Sequence, residues 1–203
     1  PCPVGSYQDI AGQARCKLCP EGTFSGNITG SDTDICTACA DGPSSAIAGS
    51  SECQVCPPSS YCPDSGQSTY TACPKGRYTT GSNQTECASC PSGRYQDKEG
   101  SAECTECAAG TYLADTGIDN ASKCLKCRKG KYSRNNGSSE CLPCTLGFIC
   151  DEEGMVEGRA CAVGRYGISN YNGTSACVAC SVGFYQNEDG QARCKPCPPG
   201  KFN

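Results

Sequence analysis

The chain has 203 residues, of which 23 are Cys and 25 Gly, with no His, no Trp and a formal net charge of -4. Such a cysteine fraction marks a disulfide scaffold from an oxidising compartment, and so few large apolar residues exclude one hydrophobic core along the whole length. Lys and Arg are scattered singly and no run of 18 apolar residues occurs, which excludes the clustered basic surface that nucleic acid or anionic lipid needs and excludes direct membrane insertion of this segment by a spanning helix.

Neither an initiator Met nor a signal peptide opens the sequence, which therefore reads as a mature or excised piece of a longer secreted protein. Twelve cysteines (Cys2, Cys19, Cys39, Cys56, Cys73, Cys90, Cys107, Cys127, Cys144, Cys161, Cys180 and Cys197) follow one another at steps of 17, 20, 17, 17, 17, 17, 20, 17, 17, 19 and 17 residues. Each opens a copy of one short module. The steps from Cys2 are answered by those from Cys90, so the pattern divides into a first five-module super-repeat at 1–89, a second at 90–179 and a truncated third at 180–203.

Within a module the sequence predicts turn, short strand, turn, short strand. Cys-Pro-x-Gly, as in Cys90-Pro91-Ser92-Gly93, predicts a type I turn with Pro second and Gly fourth. Gly stands three residues after the opening Cys in eleven modules, Ser59 being the exception. Two residues later comes an aromatic in ten of the twelve: Tyr7, Phe24, Tyr61, Tyr78, Tyr95, Tyr112, Tyr132, Tyr166, Tyr185 and Phe202, with Ser44 and Ile149 as departures. A second turn centres on Gly12, Gly49, Gly100, Gly137, Gly173 or Gly190, and Asn136-Gly137, Asn172-Gly173 and Asp189-Gly190 are favoured hairpin pairs. The fold class is thus a small disulfide-rich tandem repeat, an elongated rod of short β-hairpin modules with little regular secondary structure and no helix.

Most modules end in Cys-x-x-Cys, whose second Cys opens the next module. The simplest pairing closes each module on itself: Cys2–Cys16, Cys19–Cys36, Cys39–Cys53, Cys73–Cys87, Cys90–Cys104, Cys107–Cys124, Cys127–Cys141, Cys161–Cys177 and Cys180–Cys194. In the modules opened by Cys56 and Cys144 the closing position holds Tyr70 or Gly158, and an extra Cys appears six residues in, which suggests Cys56–Cys62 and Cys144–Cys150. Cys197 is then left unpaired in this segment, its partner lying beyond the chain. An interlocked alternative, Cys16–Cys36 with Cys19–Cys39, stays open, because spacing does not fix connectivity.

The Cys16-x-x-Cys19 and Cys36-x-x-Cys39 pairs also match a four-thiolate zinc spacing, but the Cys-x-x-Cys units form a continuous series that does not divide into fours, so disulfides are preferred and no metal site is expected. A redox thiol reading lacks its βαβ setting. No catalytic residue is expected either: the commonest general base is absent and neither a nucleophile elbow nor a paired-carboxylate motif occurs, so the chain is not read as an enzyme. Asp151-Glu152-Glu153 and the pair Asp32 and Asp34 lack the spacing of a calcium loop and read as solvated loop charge. No cofactor is expected beyond covalent N-linked glycans, at the five sequons Asn27, Asn83, Asn120, Asn136 and Asn172. Four of these sit four or five residues before a closing Cys, the register of an exposed hairpin tip, whereas Asn27 lies nine before. The aromatics, fixed in module register, are expected to pack on the disulfides and on neighbouring modules rather than to bind sugar.

The pattern CPxGxY, a Gly turn and CxxC at a 17-residue step resembles the ephrin-receptor-like cysteine-rich repeat over essentially the whole chain. That resemblance implies an extracellular, secreted or cell-surface location and an elongated ectodomain of the kind found in receptors and in large surface proteins of protists. Long glycosylated arrays of this type also look like mastigoneme (flagellar hair) glycoproteins. The fold alone says little about function. The expected role is structural, forming or spacing a filament, stalk or surface coat, with copies of itself or other filament proteins as partners; the alternative is a ligand-binding or adhesive receptor ectodomain.

Overall fold

The computed structural model describes residues 2–10, 12–26, 35–44, 47–169 and 175–201. Hairpins account for nearly all of its regular structure. Ten antiparallel pairs are found among the described residues, and nine of them are only two residues per strand. In the Cys2 module Ser6–Tyr7 pairs with Lys17–Leu18, so the second strand consists of the two residues inside Cys16-x-x-Cys19. The same register places Arg94–Tyr95 against Thr105–Glu106 and Lys131–Tyr132 against Leu142–Pro143. The Cys39 module has the single bridge Ser44 to Gln54. Among the described residues there is no α-helix, and a 3-10 turn covers Ala121–Lys123.

The first turn differs from the sequence expectation by one residue. Its closing bond runs from the Arg94 N–H to the Pro91 carbonyl (3.1 Å), so Pro91 is first and Gly93 third. Gly93 has φ +82°, and positive φ at the third position alone defines a type II turn rather than type I. Ser6 and Ser60 hydroxyls brace their turns by donating to Pro3 (2.7 Å) and Pro57 (2.6 Å) carbonyls. Ser59, the exception to the Gly rule, holds the same conformation at φ +69°.

The chain divides into two compact units. The first comprises Pro1–Cys90, Gln96–Cys104 and Gly117–Asp119; the second comprises Pro91–Tyr95, Thr105–Thr116 and Asn120–Asn203. Inside the first, the Gly5 N–H donates to the Ser25 carbonyl (2.8 Å), and the Ser25 N–H donates to the Ser50 carbonyl (3.1 Å), tying three consecutive modules. The hairpin tip folds back as well: the Gly49 N–H donates to the Cys19 carbonyl (2.9 Å). Its own carbonyl lies against Gly5, two modules earlier, where a Cβ would overlap it. The second unit repeats the scheme. There Gly110 donates to Ser133 (2.7 Å), Ser133 to Met155 (3.1 Å) and Gly137 to Cys107 (2.8 Å), while the Gly154 carbonyl lies against Gly110. Backbone groups that short strands leave unpaired are thereby satisfied by neighbouring modules.

Cysteine is the core. Among the described residues the buried apolar side chains are all Cys, Leu113 excepted, and every opening Cys from Cys2 to Cys161 is buried. The aromatics five residues after an opening Cys are half-buried at every described position. What the sequence expectation assigned to them belongs largely to the next residue, six after the opening Cys: Ser25, Cys62, Thr79, Gln96, Leu113, Ser133, Cys150 and Gln186 are all buried there. Phe202 lies outside the described residues.

Candidate functional site

The chemistry of this chain lies in its cysteines, its sequon asparagines and the side chains left on its surface. The structure contains the bonds Cys2–Cys16, Cys19–Cys36, Cys39–Cys53, Cys73–Cys87, Cys90–Cys104, Cys107–Cys124, Cys127–Cys141, Cys161–Cys177 and Cys180–Cys194, each spanning 14 to 17 residues. It also contains Cys56–Cys62 and Cys144–Cys150, each spanning six. Cys16 and Cys36, each bonded to the opening Cys of its own module, are not bonded to each other. Cys197 is free and half-exposed.

Burial explains where the displaced cysteines went. The sixth position after an opening Cys is buried in most ordinary modules, Gln8 being half-buried, so a Cys there meets the opening Cys inside the module. In the Cys144 module the vacated closing position is Gly158, where a Cβ would come within 2.9 Å of the Cys144 Sγ and the Phe148 Cβ. In the Cys56 module the same position carries Tyr70, which is 58% exposed. Gln at the buried position closes its hairpin from inside: the Gln96 Nε2 donates to the Glu103 carbonyl (2.7 Å) and its Oε1 accepts from the Lys98 N–H (3.0 Å). Gln186 does the same with Arg193 (2.6 Å) and Glu188 (3.2 Å). Sequence reasoning passed over this residue, although the run Tyr-Gln-Asp or Tyr-Gln-Asn recurs at Tyr7, Tyr95 and Tyr185.

Three described sequons differ in setting. Asn83 is exposed and occupies a hairpin tip with φ +55°, where other modules have Gly. Its N–H donates to the Cys56 carbonyl (2.9 Å) and its Oδ1 accepts from the Cys56 N–H (2.9 Å). Asn136 is exposed, and its Oδ1 accepts from the Ala109 N–H (2.9 Å). Asn120 is half-buried and its Oδ1 accepts from the Ser122 N–H (3.1 Å) and hydroxyl (2.5 Å) at the head of the 3-10 turn. Asn27, Asn172, Gly173, Asp32 and Asp34 lie outside the described residues.

Some of the surface charge is paired locally. Asp9 with Lys17, and Asp151 with Arg159, link the seventh residue after an opening Cys to the first residue after the closing position, and Asn187 with Lys195 (3.2 Å) repeats the geometry. The Lys17 ammonium holds the Asp9 carboxylate below its ordinary pKa through their hydrogen bond, and Asp9 raises Lys17 in return. Arg94 bridges to Glu106 across its hairpin (2.6 Å). No group of three or more His, Cys, Asp or Glu among the described residues is arranged to hold a metal ion. Exposed apolar side chains recur two residues after successive opening cysteines at Leu146 (60%), Val163 (58%) and Val182 (93%). No helix among the described residues is long and apolar enough to cross a membrane.

Short hairpins, a core of cystine and tandem backbone ties define the class as a small disulfide-rich repeat domain. Within that class, the family model described as tyrosine-protein kinase ephrin type A/B receptor-like matches residues 1–36, 78–124 and 164–203, more than half of the chain. The chain belongs to this ephrin-receptor-like cysteine-rich family, a non-catalytic extracellular domain type. No curated protein matches it.

Proposed function

We propose that the chain is a structural segment of an extracellular glycoprotein that forms or spaces a filament, stalk or surface coat by association with further copies of itself. The observation that carries this reading is the tip-to-glycine tie: within each unit a module is held by the next one and by the next but one. Coupling of that range stiffens a repeat array beyond nearest-neighbour stacking. The apolar side chains of Leu146, Val163 and Val182, recurring at one register, supply surface for lateral contact between copies. Electron microscopy with light scattering on the secreted, disulfide-bonded protein tests the reading. Regular polymers whose mass grows with concentration are expected; monomers at every concentration overturn it.

A second reading, a ligand-binding or adhesive receptor ectodomain, has one observation in its favour. The Cys161 module pairs Arg165–Ser169 with Ser175–Ala179, five residues per strand. A single divergent module of that kind is what local recognition would require.

A further inference from the structure

We propose that Asn83 and Asn136 carry N-linked glycans on the same side-chain amides whose oxygens tie their module to the preceding one. A backbone N–H donor faces each oxygen, Cys56 at 2.9 Å from Asn83 and Ala109 at 2.9 Å from Asn136. Of the two limbs of the amide only the oxygen can accept from an N–H, so the donor fixes which limb is oxygen and turns the nitrogen away from the backbone. Both residues are exposed, and both head a sequon, Asn83-Gln84-Thr85 and Asn136-Gly137-Ser138.

The chemistry leaves the tie intact. Nδ2 attacks C1 of the first sugar of a polyprenyl-diphosphate-linked oligosaccharide; the C1–N bond forms, the C1–O bond to diphosphate breaks, and polyprenyl diphosphate departs as Nδ2 gives up one proton. Oδ1 keeps its lone pairs and continues to accept from the backbone. Asp189 shows that the oxygen alone suffices for the tie. It stands at the place of Asn136 in its own module, before Gly190, and accepts from the Val163 N–H at 2.9 Å with no amide nitrogen at all. A sugar chain fixed this way has its root held against the module before it, over the Cys56 and Cys107 modules respectively. The inference does not depend on whether copies polymerise.

The full chain, secreted from a eukaryotic cell line, is digested after amidase release of glycans in heavy-oxygen water, which converts each occupied Asn to labelled Asp. Label at both Asn83 and Asn136 is expected. Recovery of either peptide wholly unlabelled overturns the proposal for that site. Thermal unfolding tests the shared amide. Asn136→Asp removes the glycan but keeps the oxygen, and its Tm is expected to match that of the amidase-treated wild type, whereas Asn136→Ala loses the tie and falls about 2–4 °C below it. Equal Tm losses for Asn136→Asp and Asn136→Ala would show that the oxygen does not hold the tie. Comparing the wild type before and after amidase treatment, which removes the sugar and keeps the side-chain oxygen, separates loss of sugar from loss of the tie.

Discussion

The Cys73 and Cys161 modules occupy corresponding places in the cysteine pattern, yet one has strands of two residues and the other of five. Both anchor an Arg to the carbonyl of the closing Cys, Arg77 to Cys87 (3.0 Å) and Arg165 to Cys177 (3.2 Å). They part at the sixth position. Thr79 is buried there and its hydroxyl turns back to the Gly81 carbonyl (3.4 Å), which draws the chain out of the pairing after Tyr78. Gly167 brings no side chain, and its backbone lies directly on Gly147, where a Cβ would come within 2.5 Å of the Gly147 Cα. The strand therefore runs on to Ser169. The Cys161 module also closes a longer loop, 16 residues between its paired cysteines against 14 in the Cys73 module, so the bare Gly167 and the added length together accompany the extended hairpin.

Glycines of positive φ offer the largest test of that contrast. Gly76 has φ +77° and its missing Cβ would overlap the Gly117 carbonyl, while the tip glycine Gly66 has φ +72° and its Cβ would meet nothing closer than the Ala38 Cβ at 3.7 Å. Alanine at Gly66 meets only the backbone penalty of about 1–2 kcal/mol. At Gly76 an overlap of about 1–3 kcal/mol is added, so Gly76→Ala is expected to cost roughly 4 kcal/mol in denaturant unfolding with disulfides intact. Equal losses at the two sites would remove the tip-to-glycine tie as a stabilising contact.

Next in size is Gly167→Thr, which copies the Cys73 module into its counterpart. The Cβ would strike the Gly147 backbone, and a loss of about 3 kcal/mol is expected. The reverse change, Thr79→Gly, removes a small buried side chain and costs about 1 kcal/mol. If Gly167→Thr left the unfolding midpoint in place, the close approach would not be what sets the hairpin's length.

Solvent-exposed pairs lie at the other extreme from these backbone contacts. The folded pKa of Asp9 is below its ordinary 3.8, so its contribution is complete above that value and disappears as pH falls through the lowered one. Lys17 is raised above 10.5, so its contribution is complete below that value and is lost as pH rises through the raised one. Exposure and salt make this the smallest effect. Tm curves of the wild type and Asp9→Asn are expected to differ slightly at neutral pH and to converge by about pH 2.

The hairpin modules were legible because their determinants are local: a Pro and Gly turn, an aromatic, a Gly tip and two residues between cysteines. The placement of Asn83 and Asn136 at turns was legible for the same reason. Their hydrogen bonds to Cys56 and Ala109, 27 residues away, were not, because nothing in a tripeptide names its partner. The one-residue shift of the first turn was equally hidden. Cys-Pro-x-Gly satisfies type I with Gly fourth and type II with Gly third, and only the Arg94 to Pro91 bond distinguishes them.

By itself the sequence determined the module, its period and the family, since cysteine spacing and turn residues act within about twenty positions of chain. Tertiary structure alone decided which residue is buried and how far a module reaches. Burial after the aromatic arises from the neighbours' backbones closing over it, and the reach from Gly5 to Gly49 or Gly110 to Gly154 spans 44 residues. Those are packing distances between separate modules, and no local propensity encodes them.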